Sequence, residues 1–315
     1  MKYVLKKVAT AAITMLLVTL FVFVSFNLIS GDAALSSLGT DATPERIEAL
    51  REEMGLNDPV LVQYGRWLVH FISGDMGVSY SYKMNVSDMI VEKIPVTLTM
   101  ALFAFVLTVI IAIPLGLYTS KHQGGYVDRV IYVLNQVIMA IPPFFSGILI
   151  TFLFGRVLKI FTPGGYVSYS QNFFRFLGYM FFPALAIALP KSTMAIKLLR
   201  SSVLKEAKLD YVRTAYSKGN STTQVLYKHV LKNAILPVVT FLGMALTDMI
   251  AGSIIVEQVF SVPGLGRILL TSISNRDYPV VMAVISIIAL LVLVVNMLVD
   301  IVYSLIDPRI SLEDD

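Results

Sequence analysis

Six apolar stretches, at roughly 8–30, 95–119, 129–155, 175–196, 236–258 and 280–304, constrain the fold more than any other feature of this chain. Each is long enough to cross a hydrocarbon core about 30 Å thick, which takes about 20 helical residues. With 56% hydrophobic residues, 15% charged residues and a mean hydropathy of +0.76, the chain is too apolar for an ordinary soluble domain. The expected fold class is an all-α polytopic membrane protein with six transmembrane helices, residues 1–315 forming a single transmembrane domain. The first stretch follows Lys2, Lys6 and Lys7 as a signal peptide would. Its apolar run is too long for a signal core and no small-residue cleavage pattern follows, so it reads as a retained helix.

Lysine and arginine set the orientation. The segments before span 1, between spans 2 and 3, from Lys191 to Lys232, and after span 6 carry fifteen of them, against ten on the other side. The positive-inside rule puts both termini in the cytoplasm. The external loop, 31–94, holds ten acids and is long enough to fold on the membrane surface. Thr43-Pro44 is a helix-start pair and Gly55 a stop. Asp58-Pro59 repeats the start, and Leu61, Tyr64, Leu68 and Phe71 mark one face of a second helix. That loop is either a structural cap or a docking surface for an external partner.

Against so apolar a background, the polar, basic run from Asp210 to Lys232, within a cytoplasmic loop of residues 197–235, stands apart. Leu204, Ala207, Tyr211 and Ala215 recur at three- and four-residue steps, an apolar stripe on one helix. Gly219 is placed to end that helix in a left-handed conformation. Ser221 to Gln224 is a capping box that opens the next helix, running to Pro237. A solvated loop that merely enforces topology would not need stripe, stop and box together. Two short helices meeting at an exposed corner suit a soluble partner that docks there.

This segment resembles the cytoplasmic loop of permease subunits in ATP-binding-cassette importers, whose pattern is Glu-Ala-Ala, three residues, Gly, nine residues, Ile-x-Leu-Pro. Here Ala215, Gly219 and Leu231 match it literally, and Asp210-Tyr211-Val212-Arg213-Thr214-Ala215 with Lys218-Gly219 and His229 follows the form of one branch, the dipeptide/oligopeptide/nickel permeases. The resemblance extends along the chain through Gly55 to Pro59 with Gln63, Tyr64 and Trp67, then Gly74-Asp75-Met76-Gly77-Val78-Ser79. It continues in Val256-Glu257 with Phe260 and Pro263 to Gly266, in Asn275 to Pro279, and from Val299 to Ile310. Ser30 to Ala33 departs from the branch, which has Pro-Gly-Asp-Pro there.

The resemblance implies an ATP-driven importer in which this chain forms half of the translocation pathway, in a bacterial or archaeal cell membrane. It implies four partners besides the bilayer: a second, similar permease, two cytoplasmic ATPase subunits and an extracytoplasmic binding protein. The coupling residues carried over are Asp210, Tyr211, Arg213, Thr214, Ala215, Lys218, Gly219 and His229, with Tyr216 and Tyr227 as further contacts and lysines and arginines steering the encounter. Peptide is the implied cargo; nickel, another chelated metal or an oligosaccharide stays open.

The residues agree that this chain is not itself an enzyme. It has no Walker-type Gly-Lys-Ser/Thr loop, so ATP and Mg belong to the partner subunits and no cofactor is expected here. It has no cysteine, and its three histidines form no ligand pair at helical spacing. No nucleophile–base or metal constellation stands at membrane depth, and nucleic acid is not an expected partner. A stand-alone channel or secondary transporter would show a charged ring, an inverted repeat or a dense set of intramembrane acids. Neither explains the hairpin.

Two features inside the spans remain. Pro114, Pro142-Pro143, Pro183 and Pro190 each remove a backbone donor and can kink a helix. Asp248 lies near the middle of span 5, where a lipid-facing charge is costly. It is expected on the substrate pathway, contacting a cationic group of the cargo, or in a hydrogen bond with the second permease. Lys191 is expected to snorkel to the inner interface, and Asn296 and Asp300 to serve helix packing.

Overall fold

The computed structural model describes residues 2–29 and 43–306. Residues 30–42, which include the departing motif Ser30 to Ala33 and the start of the loop expected to be external, lie outside the described residues, as does the end of the last motif, Asp307 to Ile310. In chain order the helices are α1 (Lys2–Ile29), α2 (Pro44–Met54), α3 (Val60–Ile72), α4 (Val86–Val91), α5 (Ile94–Lys121), α6 (Tyr126–Met139) and α7 (Pro143–Ile150). A wide turn, Thr151–Val157, extends α7. There follow α8 (Phe173–Glu206), α9 (Asp210–Ser217), α10 (Thr222–Val225), a second wide turn (Leu226–Val230), α11 (Leu231–Ala234), α12 (Leu236–Phe260), α13 (Leu265–Ser274) and α14 (Tyr278–Ile306). Among the described residues five helices are long and apolar enough to cross a membrane, or six if the bent pair α6–α7 is counted as one span. The chain divides into two compact units.

The unit built from the residues up to Val96 and Pro263–Val294 carries much of the 31–94 loop. Pro44 opens α2 behind an extended Thr43, and Gly55, at φ +64°, ends it. On α3 the inward face is aromatic. Tyr64 and Trp67 stack with centroids 6.2 Å apart, Trp67 and Phe71 with centroids 5.2 Å apart. Phe23 of α1 meets the first two rings, and the Tyr64 hydroxyl lies 2.9 Å from Thr19 Oγ1. Leu61, expected on this face, is exposed instead: the large rings of Tyr64 and Trp67 claim the contact with α1. Pro263-Gly264 leads into α13, a short apolar helix that burial of Leu265, Ile268 and Leu269 holds in place.

A buried carboxylate organises the loop between α3 and α4. Asp277, fully buried just before α14, accepts bonds from Ser79 Oγ (2.5 Å), Tyr80 N (3.0 Å) and Ser81 N (3.2 Å). Burial and then the nearby Asp277 charge push the Tyr80 phenol up to about 12. Earlier in the same loop Asp75 accepts from the Gly77 amide at 3.0 Å and lies 3.0 Å from His70 Nδ1. Those two bonds hold its carboxyl below the ordinary value.

The second unit, Thr97–Val262 with the residues from Val295 onward, packs α5, α6, α7 and α12 around α8. α5 approaches α8 closely at Gly116, where a Cβ would fall 2.8 Å from Leu199 Cδ2. Glu257, fully buried on α12, accepts from Thr97 Oγ1 at 2.7 Å. The Tyr179 hydroxyl donates to the Phe260 carbonyl, tying α8 to the end of α12. Pro114, Pro183 and Pro190 all sit inside unbroken helices. Pro142-Pro143 does not: the expected third span, 129–155, is two helices meeting at 108°. Two successive prolines remove two donors and bar the residues before them from helical geometry, while Pro143 then suits the first position of α7. α8 also runs past the expected end at 196 to Glu206.

Candidate functional site: a polar hairpin and a mid-span ion pair

The hairpin is built from three short helical pieces. α8 ends at Glu206, and residues 207–209 turn the chain before α9 begins at Asp210. The single helix expected from Leu204 to Ala215 is therefore broken, and its stripe is reassigned: Ala207 and Tyr211 are exposed, while Val212 and Ala215 are buried. The cause is tertiary. Val203, Val212, Ala215, Val225, Leu226, Val230 and Ala234 belong to one apolar core that continues into Leu117 of α5, Leu199 of α8 and Val238 of α12. Turning the chain at 207–209 lets both arms reach that core.

The corner follows the sequence closely. Gly219 sits at φ +79°, its N–H donating to the Tyr216 carbonyl at 2.9 Å. The Asn220 side-chain amide donates to the Ala215 carbonyl at 2.9 Å, satisfying an acceptor that α9 leaves open. Ser221 and Gln224 then form the expected capping box, with the Ser221 N–H donating to Gln224 Oε1 at 2.9 Å. Beyond it the second arm passes through the wide turn at Leu226–Val230 to α11 and then α12 rather than as one regular helix.

Side-chain bonds tie the hairpin to the spans. The Tyr211 hydroxyl donates to Glu206 Oε1 at 3.1 Å and accepts from Asn233 Nδ2 at 3.3 Å, linking α8, α9 and α11. Its phenol is raised above the ordinary value, first by burial and then by Glu206. Lys121 Nζ, at the end of α5, donates to Thr223 Oγ1 at 3.1 Å. Of the carried-over residues, Asp210, Tyr211, Arg213, Thr214, Lys218 and Gly219 are exposed together around the corner, with Tyr216 and Tyr227 beside them. His229 is half-buried and Ala215 lies in the hairpin's core.

Asp248 stands at the midpoint of α12, and Lys191 meets it there. Lys191 Nζ lies 2.7 Å from Asp248 Oδ2; the lysine side chain is 25% exposed and that of the aspartate 63%. The lysine expected to snorkel is thus an ion-pair partner, because an acid on the neighbouring helix is closer than the end of its own. Asn296 Oδ1 accepts from Thr247 Oγ1 on α12, a helix-packing bond as expected.

A second ion pair was not anticipated. Asp128, buried in the first turn of α6, takes both Nε and a terminal nitrogen of Arg200 at 2.9 Å and the Gly124 amide at 2.9 Å. Neither residue stands out in the sequence, and nothing in their separation pairs them. The Ser79–Asp277 contact was likewise hidden, although both residues fall in recognised motifs.

Comparison with known proteins agrees with this architecture. The family described as "Binding-protein-dependent transport system inner membrane component" matches residues 112–312, and its N-terminal membrane component matches residues 1–101. The chain is 36% identical, over 98% of both chains, to a Brucella abortus protein named for a peptide transport system permease. It is 34% identical to the oligopeptide transport system permease of Bacillus subtilis, covering 98% of this chain and 99% of the other. With the dipeptide transport system permease of Alkalihalophilus pseudofirmus it shares 30% identity over 93% and 94% of the two chains. A multi-pass chain of membrane helices with one compact polar hairpin, matched in this way from end to end, belongs to the family of inner membrane components of binding-protein-dependent transport systems.

Proposed function

We propose that this chain is one of two permease subunits of an ATP-driven peptide importer, and that its hairpin docks, on the cytoplasmic side, into a groove of a separate ATPase subunit. The observation that carries the docking role is the shared core. Val212, Ala215, Val225 and Leu226 of the hairpin are buried in the same cluster as Leu199 of α8 and Val238 of α12. A corner packed this way moves with the membrane helices as one body, whereas a loosely tethered loop would absorb the ATPase's motion. The exposed tyrosines Tyr211, Tyr216 and Tyr227 supply contact area, and Arg213, Lys218 and Lys228 steer the encounter.

The remaining parts follow from the family. A second permease completes the pathway, two ATPase subunits bind ATP and Mg, and an extracytoplasmic binding protein delivers the cargo; this chain holds no cofactor of its own. Peptide as cargo is supported by the names of the relatives. The excess of lysine and arginine on the hairpin's side supports a cytoplasmic hairpin. Asp248 faces the pathway in this reading, where it meets a cationic group of the peptide.

The absence of cysteine makes the test clean. Lys218→Cys or Tyr216→Cys introduces one thiol, which a short bifunctional reagent should join to an ATPase subunit in membranes holding the complete importer. A Lys83→Cys variant, in the external loop, should not be joined. Crosslinking from Lys83 but from neither hairpin position would overturn the docking role.

A further inference from the structure

Lys191 begins a row. Met194, Lys197, Ser201 and Lys205 follow it on α8 at three- and four-residue steps, with Lys208 in the turn just beyond, and all five are exposed. At 3.6 residues per turn the five from Lys191 to Lys205 lie within an arc of about 120°. Ala195, Leu199 and Val203 occupy the other side and are buried. Lys197, Ser201, Lys205 and Lys208 line one wall of a cavity of about 480 Å³, faced by Tyr132 and Gln136 of α6. The one acid lining that cavity, Asp128, is already held by Arg200. Among the described residues Lys197, Lys205 and Lys208 form no ion pair.

Three features point to a ligand. At mid-span, a pair whose aspartate is 63% exposed is costly against lipid, so this face turns to water or protein. The cavity's surplus charge is positive, and a concave wall focuses that field on anions. The lysines are spaced for transfer: along the helix axis the backbone rises about 9 Å from Lys191 to Lys197 and about 12 Å from Lys197 to Lys205, near the reach of two extended lysine side chains.

We propose that the α8 row from Lys191 through Lys197 to Lys205 lines the translocation pathway and handles the carboxylates of the cargo, so that the permease favours acidic and zwitterionic peptides over cationic ones. This rests on the peptide-importer reading above. At the head of the row an arriving carboxylate competes with Asp248 for Lys191, while the peptide's ammonium takes the Asp248 carboxylate. One ion pair is exchanged for another and no charge is stranded at mid-membrane. Below it Lys197 and then Lys205 receive the carboxylate within the cavity.

The test uses the complete importer with its binding protein in proteoliposomes, measuring uptake of Ala-Glu-Ala, trialanine and Ala-Lys-Ala. For Lys197→Gln and Lys205→Gln, each compared with wild type on the same peptide, Ala-Glu-Ala uptake should fall about fivefold, the scale of one lost solvent-exposed ion pair, and Ala-Lys-Ala should change least. Lys197→Arg should restore the wild-type order. Equal losses on all three peptides overturn the carboxylate role and leave the peptide reading standing. Failure of the variants to copurify with the second permease assigns the row to a subunit interface and also overturns it. A wild-type importer that moves none of the three peptides removes the peptide reading, and this proposal with it.

Discussion

Replacing Gly219 isolates the backbone's part in coupling. At φ +79° the residue is left-handed, and a Cβ built there meets no atom within 4 Å. No steric clash contributes, so the whole penalty for a side chain is conformational, about 1–2 kcal/mol for an ordinary L-residue. A β-branched valine lies at the upper end of that range, and asparagine, which visits this region readily, at the lower end. If the chain instead relaxes to negative φ, it re-aims Asn220, whose amide holds the Ala215 carbonyl. Burial of Val212 and Ala215 on one arm and Val225 and Leu226 on the other opposes that relaxation. The strain therefore appears as local opening of the corner, raised about 5- to 30-fold by 1–2 kcal/mol. The assay is the number of ATP molecules hydrolysed per peptide imported by the reconstituted complex, with amide exchange of residues 220–225 measured alongside. Gly219→Val should raise the ratio and the exchange, Gly219→Ala less so, and Gly219→Asn should stay near wild type. Gly219→Asn as damaging as Gly219→Val would refute the argument, because open space around the Cβ leaves only the backbone to tell them apart.

Other outcomes follow from the same geometry. Ser221→Ala removes the capping-box acceptor and should destabilise the second arm by about 1 kcal/mol, read as faster exchange at the Gln224 amide. Arg200→Gln strands the buried Asp128 carboxylate. Breaking a fully buried pair costs about 3–5 kcal/mol, and with Arg200 27% exposed the expected loss is about 2–3 kcal/mol of thermal stability in detergent. Adding Asp128→Asn should recover part of that loss. Asp277→Asn turns an amide donor towards Ser79 Oγ or the backbone N–H groups of Tyr80 and Ser81, costing about 2–3 kcal/mol locally; unchanged exchange at those two amides would contradict the clamp. Asp75, held below its ordinary value of 3.8 in the folded chain, stabilises the 75–77 turn at pH above that value. The contribution is lost as pH falls through the lower folded value, so Gly77 amide protection should fade only under strongly acid conditions.

Much of this protein is legible in its sequence. Apolar runs of 20 residues admit few structures in a bilayer, so the helices and their order followed from composition along the chain. The hairpin corner was equally readable, since Gly219 and the Ser221–Gln224 box act through their own backbone and need no distant partner. The stripe beside that corner was misread for the opposite reason. Leu204, Ala207, Tyr211 and Ala215 fit a helical period, yet the chain breaks at 207–209 because a core formed with α5, α8 and α12 rewards burying Val212 instead. Pro142-Pro143 announced a distortion, and packing around α8 settled it as a 108° break while Pro114, Pro183 and Pro190 stayed within helices.

The same division holds at the site. Local sequence determined which residues could cap, turn or span, because those choices depend on neighbours within about four positions. Tertiary structure alone decided which charges meet. Lys191 and Asp248, Asp128 and Arg200, and Ser79 and Asp277 are far apart in the chain, and each pairing depends on how separate helices and loops come to lie together. A charge in a membrane protein must find a partner or water, so the sequence could say that Asp248 needed an answer, and only the packed helices could supply Lys191.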